Sequence, residues 1–160
     1  MADDDLDPVL DLRLERVVPV EAAALWRGWT EPARLVQWFT PAPWVTTEAE
    51  VDLRPGGTFR TVMRGPDGET GETAAGCVLE VVPQRRFVWT SSLGPGFRPV
   101  ERVEGALPLT AVIEFEPVDG GTRYRATARH GSEADARLHA EMGFAVGWGA
   151  AFDQLVALVG

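Results

Sequence analysis

Leu10, Leu12 and Leu14 alternate with Asp11, Arg13 and Glu15, so residues 9–18 read as a strand with one wet face and one buried face. Pro19 ends it, and residues 21–27 then read as a short helix with the proline at its start. A second short helix is predicted from Thr30 as N-cap, with Glu31 and Pro32 in its first turn, ending at Trp38-Phe39 before Pro41 and Pro43. Alternation resumes over 44–53, where Val45, Thr47, Ala49, Val51 and Leu53 share a face. Pro55-Gly56-Gly57 is a turn signal, and 58–64 follows as a strand. Pro66-Asp67-Gly68-Glu69 marks a hairpin before a strand over 73–82. Pro83-Gln84 turns the chain into 86–91, and a last hairpin joins 109–117 to 122–130 around Asp119-Gly120-Gly121. Hairpin spacing without crossover helices predicts an antiparallel sheet of six or seven strands. One connection, 92–108, is long, rich in Gly and Pro, and carries Phe97.

From Ser132 the period changes to that of a helix. Leu138, Met142, Ala145, Trp148, Phe152, Leu155, Val156 and Val159 fall within a stripe about 140° wide at about 100° per residue. A helix over 132–158 would be roughly 40 Å long, close to the diameter of a domain of this size. The sheet is therefore expected to curve around it, giving an α+β fold with two short helices after the first strand. Large side chains on the inner face either complete a solid core or line whatever the curve leaves open. The candidates are Phe59, Met63, Cys77, Phe87, Trp89, Phe115 and Tyr124 on the sheet, with Glu141, Met142, Ala145 and Trp148 on the helix. Trp38, Phe39, Trp44 and Phe97 are candidates for its rim, although Trp38, Phe39 and Trp44 read more simply as a satellite cluster that holds the short helices to the sheet.

Two polar residues are the candidate catalytic groups. By helical phase Glu141 shares the stripe of Leu138 and Ala145, which aims a carboxylate at the sheet, unless the helix is irregular before Gly143. His130 shares the face of Tyr124, Ala126 and Ala128, either as a hydrogen-bonded structural histidine or as an acid or base near neutral pH. His139 falls about 120° off the apolar stripe and is expected at the surface. No H-x-x-x-H or Cys/His cluster points to a metal. Ser91 and Ser92 lack a nucleophile elbow, and Gly56-Gly57 lacks the ending of a phosphate loop. No cofactor is expected.

Net charge changes the picture little. Of the −9, Asp3, Asp4, Asp5, Asp7 and Asp11 supply five, leaving 19 acidic against 15 basic residues elsewhere. Residues 1–8 are therefore expected to be a disordered acidic tail ahead of a single domain over 9–160. Without a basic stripe the chain is not expected to bind nucleic acid. No apolar run suffices to span a bilayer, the N-terminus is acidic where a signal peptide is basic, and Cys77 is the one cysteine. A cytoplasmic protein without membrane insertion is expected. All basic residues are Arg, so no lysine is present for Schiff-base chemistry.

Several stretches, in order, resemble the START-like (SRPBCC) superfamily, in the branch related to the activator of the heat-shock-protein-90 ATPase. They are Val18 to Pro32, Trp38-Phe39-Thr40-Pro41, Val51-Asp52-Leu53-Arg54-Pro55-Gly56-Gly57-Thr58-Phe59, Gly76 to Pro83, Arg86-Phe87-Val88-Trp89-Thr90, Gly121-Thr122-Arg123-Tyr124 and Gly147-Trp148. The resemblance implies the helix-grip fold of the birch-pollen-allergen type, with a cavity between a curved sheet and the terminal helix. It further implies binding of a small hydrophobic molecule without turnover. The alternative is a polyketide cyclase or aromatase-like enzyme using an inward Glu141 or His130. A co-chaperone or stress-response role is the weaker alternative, and a chaperone partner is not expected, because the eukaryotic activator uses an additional domain. A homodimer is left open. These motifs are mostly turn and core residues, so they specify architecture rather than chemistry.

Overall fold

Every strand pairing is antiparallel, as expected where tight turns and no crossover helices join the strands. The computed structural model describes residues 6–72 and 74–160; Asp3 to Asp5 of the acidic leader, and Thr73 at the expected start of a strand, lie outside the described residues. The elements are β1 (Asp11–Val18), α1 (Ala22–Thr30), α2 (Pro32–Leu35), β2 (Val45–Val51), β3 (Thr58–Arg64), β4 (Thr70–Glu72), β5 (Gly76–Val82), β6 (Arg86–Thr90), β7 (Leu93–Gly94), β8 (Arg98–Pro99), β9 (Thr110–Val118), β10 (Gly121–Arg129), α3 (Glu133–Glu141) and α4 (Phe144–Val159). The main sheet runs β1-β10-β9-β6-β5-β3-β2, with β4 on β3 off this path. It is a curled half-barrel gripping the C-terminal helical segment.

Register places the apolar set on one face. Tyr124 lies opposite Phe115, Ala126 opposite Ile113, and Ala128 opposite Ala111, while Phe87 and Trp89 continue the rows on β6. The alanines at the centre leave room for α4, whose Phe152 stacks on Tyr124 with ring centroids 4.0 Å apart. The opposite face carries charge pairs: Arg125 meets Glu15 at 2.6 Å, and Arg86 meets Glu114 at 3.1 Å. The Pro55–Gly57 turn docks on β5 through Gly56 N–H to Val78 O and Val78 N–H to Gly57 O. A Cβ on Gly57 would lie 2.1 Å from the carbonyl oxygen of Asp52, so that position admits only glycine.

Four expectations are corrected. The terminal helix is not continuous: α3 and α4 meet at a 61° bend, where Gly143 takes φ +96°. The bend resets helical phase, so the apolar stripe holds from Trp148 onward but not before it. Leu138 and Met142 are exposed, 46% and 67%, and Ala145 faces solvent. Thr30 closes α1, its Oγ1 donating to the Trp26 carbonyl at 2.8 Å, and Glu31 occupies the N-cap of α2. In β2 a bulge between Thr46 and Glu48 shifts the faces, burying Thr46 and exposing Val45 and Thr47. The connection 92–108 is partly structured: β7 and β8 form a ribbon whose Gly96 N–H bonds Gly56 O at 2.7 Å.

No single helix among the described residues is long and apolar enough to cross a membrane.

Candidate functional site

The bend leaves a cavity of about 570 Å³ between the sheet and the start of α4. Met63 of β3, Trp89 of β6 and Tyr124 of β10 reach it from the sheet. Phe144, Gly147, Trp148 and Ala151 face it from α4, with His139, Met142 and Gly143 at the elbow. Trp29 of α1 closes one side, and the corner from Trp38 to Trp44 forms the rim. Small residues at 147 and 151 fit the opening: a Cβ on Gly147 would meet nothing within 4 Å.

The rim is stitched to α4 by one side chain. Gln154 Nε2 donates to the carbonyls of Trp38 and Thr40 at 2.8 and 2.9 Å, and its Oε1 accepts from Ala42 N–H at 2.9 Å. Trp38 Nε1 donates to the Gly28 carbonyl at 2.8 Å, fixing the rim to α1 as well. These bonds satisfy the backbone of a proline-rich corner that forms no ladder of its own.

The wall is aromatic with few polar atoms. Trp29 Nε1 donates to the Tyr124 hydroxyl at 3.0 Å. Burial raises the pKa of Tyr124, partly offset by that bond, so the phenol stays protonated. Its own hydrogen has no acceptor among the described residues. Trp89 stacks on Phe59 at 4.3 Å, and its Nε1 is buried without a hydrogen-bond partner among the described residues.

His139 is the polar group the sequence missed. It is 7% exposed, lies edge-on to Phe144 and Trp148 at 5.2 and 5.8 Å, and lines the cavity. Its Nδ1 sits 2.9 Å from His130 Nε2, and His130 Nδ1 sits 2.8 Å from the Leu10 carbonyl oxygen. Burial first, then the neighbouring His130, pulls the pKa of His139 down to about 4, so this imidazole is neutral at pH 7. A helix continuous through Gly143 would turn it to solvent; the broken one turns it in.

The structure thus sorts the sequence candidates. Met63, Trp89, Tyr124, Met142 and Trp148 line the cavity, and Trp38, Phe39 and Trp44 form its rim. Phe59, Phe87 and Phe115 are buried behind the wall as core, because their inward rows are covered by neighbouring rings such as Trp26 and Trp29. Cys77 is buried on the opposite face of β5, since the adjacent Val78 takes the inward position opposite Trp89. Glu141 and Ala145 face solvent at the elbow, so Glu141 is not an inward carboxylate. Phe97 packs over Gly56, away from the rim, held by the β7–β8 ribbon. His130 belongs to a second, smaller cleft of about 350 Å³ that it shares with Arg102, Arg129, Ser132 and Asp135. There Arg102 grips Asp135 through two bonds of 2.9 and 2.8 Å, and this hydrogen bonding is the main cause that holds the Asp135 carboxyl below its usual range. Among the described residues no three His, Cys, Asp or Glu side chains gather as a metal site.

A cavity between a curled antiparallel sheet and a C-terminal helix, behind two short helices, is the arrangement the motifs imply, and a family model decides the matter. The model for "Activator of Hsp90 ATPase homolog 1-like protein" matches residues 19–160. The chain belongs to the Hsp90-ATPase-activator-homologue-like family. Among solved structures, a Nitrosomonas europaea protein is 46% identical over 96% of each chain, with a TM-score of 0.89. A Mycobacterium smegmatis protein is 26% identical over 95% of this chain and 91% of its own, at a TM-score of 0.75. A Rhodobacter sphaeroides protein, 23% identical over 94% and 92% with a TM-score of 0.78, shares the fold. No curated protein matches this family member.

Proposed function

We propose that this family member binds a small, largely apolar molecule in the cavity at the helix elbow, without turning it over. The observation that carries the reading is the wall itself: about 570 Å³ bounded mainly by Trp, Phe, Met and Pro side chains, with few polar atoms. Pockets of this size and lining are where small ligands bury their apolar surface. Apolar burial contributes about 25 cal/mol per Å², so a bicyclic ring system that buries roughly 250 Å² gains about 6 kcal/mol before the cost of immobilising it.

The test uses Gly147→Phe, which adds a ring to the cavity at a position with no steric obstruction. Thermal-shift screening of apolar metabolites should raise the melting temperature of the wild type and leave the filled variant unmoved. Equal shifts in both proteins, or none in the wild type, would end the ligand-binding reading.

One observation favours a second reading, catalysis of the polyketide-cyclase kind. The neutral imidazole of His139 faces the same space and has the protonation state of a general base. Conversion of a poly-β-keto probe that disappears in His139→Phe would favour that reading over simple binding.

A further inference from the structure

The pair of histidines fixes more than a shape. The Leu10 carbonyl can only accept a hydrogen bond, so His130 Nδ1, 2.8 Å away, carries a proton. An imidazole with a single N–H that spends it on this carbonyl accepts at its other nitrogen, here His130 Nε2. The atom 2.9 Å from it, His139 Nδ1, is therefore the donor. A neutral His139 that donates from Nδ1 has a bare lone pair on Nε2. The His139 ring lines the cavity between Phe144 and Trp148, and Nε2 has no protein partner among the described residues. The chain Leu10–His130–His139 thus ends as a hydrogen-bond acceptor set in an aromatic wall.

We propose that His139 Nε2, locked as an acceptor by His130, selects ligands that carry a hydroxyl group, an alcohol or a phenol, on an apolar body. This inference rests on the ligand-binding reading and narrows it to a chemical class. An ether of the same shape brings no proton and leaves Nε2 desolvated and unpaired. A carboxylate of the same shape offers Nε2 only lone pairs and brings a charge into a wall that holds no cationic side chain among the described residues. A site built to bond a hydroxyl rejects an isostere lacking it far more strongly than an apolar pocket rejects a missing methylene. His130 never touches the ligand; it is a positioning residue that sets which nitrogen of His139 is bare.

The experiment compares 2-naphthol, 2-methoxynaphthalene and 2-naphthoate by calorimetric titration of the full chain at pH 7.5. 2-Naphthol should bind at least about tenfold tighter than either analogue, the cost of one unpaired buried acceptor. In His139→Phe, which keeps a ring of similar size, the preference for naphthol over its methyl ether should fall below about twofold. Nitrogen NMR of the imidazoles supplies a readout that needs no variant: His139 should carry its proton on Nδ1 in the wild type. In His130→Phe that signal should move toward the mixed-tautomer position. Equal affinity for all three probes in the wild type, a preference that survives His139→Phe, or a proton found on Nε2 would each overturn the proposal while leaving the cavity as a binding site. Failure of all three probes to bind would sink both this inference and the reading beneath it.

Discussion

Acidification should weaken the folded protein through His139, and the effect can be isolated by removing that one ring. The folded protein holds the His139 pKa near 4 against an ordinary 6.5, because burial and the neighbouring His130 both oppose a charge there. The unfolded chain therefore takes up this proton first as pH falls. The contribution is fully present above about 6.5, declines through the window down to about 4, and is level below it. A difference of 6.5 to about 4, at roughly 1.4 kcal/mol per pH unit, corresponds to about 3 kcal/mol in full and about 2 kcal/mol between pH 7 and 4.5. Asp135 is also depressed, its largest cause being the Arg102 hydrogen bond. Its contribution is lost only as pH falls through a value below 3.8, outside that window. Urea unfolding followed by tryptophan emission at pH 7, 5.5 and 4.5 measures the effect in the wild type and in His139→Phe. Carboxylates common to both proteins cancel in the comparison. The wild-type midpoint should fall about 1 M further than that of the variant, for a typical urea dependence of 1–3 kcal/mol per molar. Midpoints that drop in parallel would refute a buried neutral histidine at this position.

Gly28→Ala should destabilise by about 1–3 kcal/mol, since its Cβ would sit 2.3 Å from Leu155 Cδ1 where α1 meets α4; an unchanged melting temperature would contradict that close approach. Tyr124→Phe strands the buried Trp29 Nε1 donor and should cost about 1–3 kcal/mol in chemical denaturation, with no cost if that bond is absent. Gln154→Ala removes three bonds that hold the rim, so amide exchange at Ala42 should accelerate at least about tenfold, and unaltered protection there would show another anchor. Glu141→Ala, at an exposed position, should change stability by less than about 0.5 kcal/mol; a larger loss would place the carboxylate inside after all.

The sheet was legible because its signals are local. Alternation in β1, β6, β9 and β10 needs only a period of two, and turns such as Asp119-Gly120-Gly121 need only glycine in sequence. Family motifs added the helix-grip arrangement, and with it the cavity. Errors arose wherever one residue shifted the phase of those that follow. The β2 bulge at Thr46/Glu48 exchanged its faces. Gly143 did the same for the helix, so a stripe computed at constant twist placed Glu141 inside and His139 outside, the reverse of the fold. The signal that could have revealed this was present: Met142-Gly143 interrupts a helix whose first half, Glu133–Glu141, is far more polar than its second. A change of composition across a glycine is a better marker of a broken helix than either feature alone.

That break is also why a cavity survives in a chain with so many large aromatics. Had the helix run straight, Leu138 and Met142 would have continued the buried row of Phe152 and Leu155 into the mouth of the sheet. Bent by 61°, the chain carries Leu138 outward, leaves Met142 largely exposed at the cavity edge, and sets Gly147 and Ala151 opposite Trp89 and Tyr124. Two small residues there cannot fill the space that a leucine and a methionine would have filled, and close packing elsewhere prevents the sheet from collapsing onto them. Phe59 backs Trp89, and Phe115 with Phe152 brackets Tyr124, so the wall cannot relax inward without opening the core behind it. The same turn of the chain brings in His139, so the volume and its acceptor arise from one glycine.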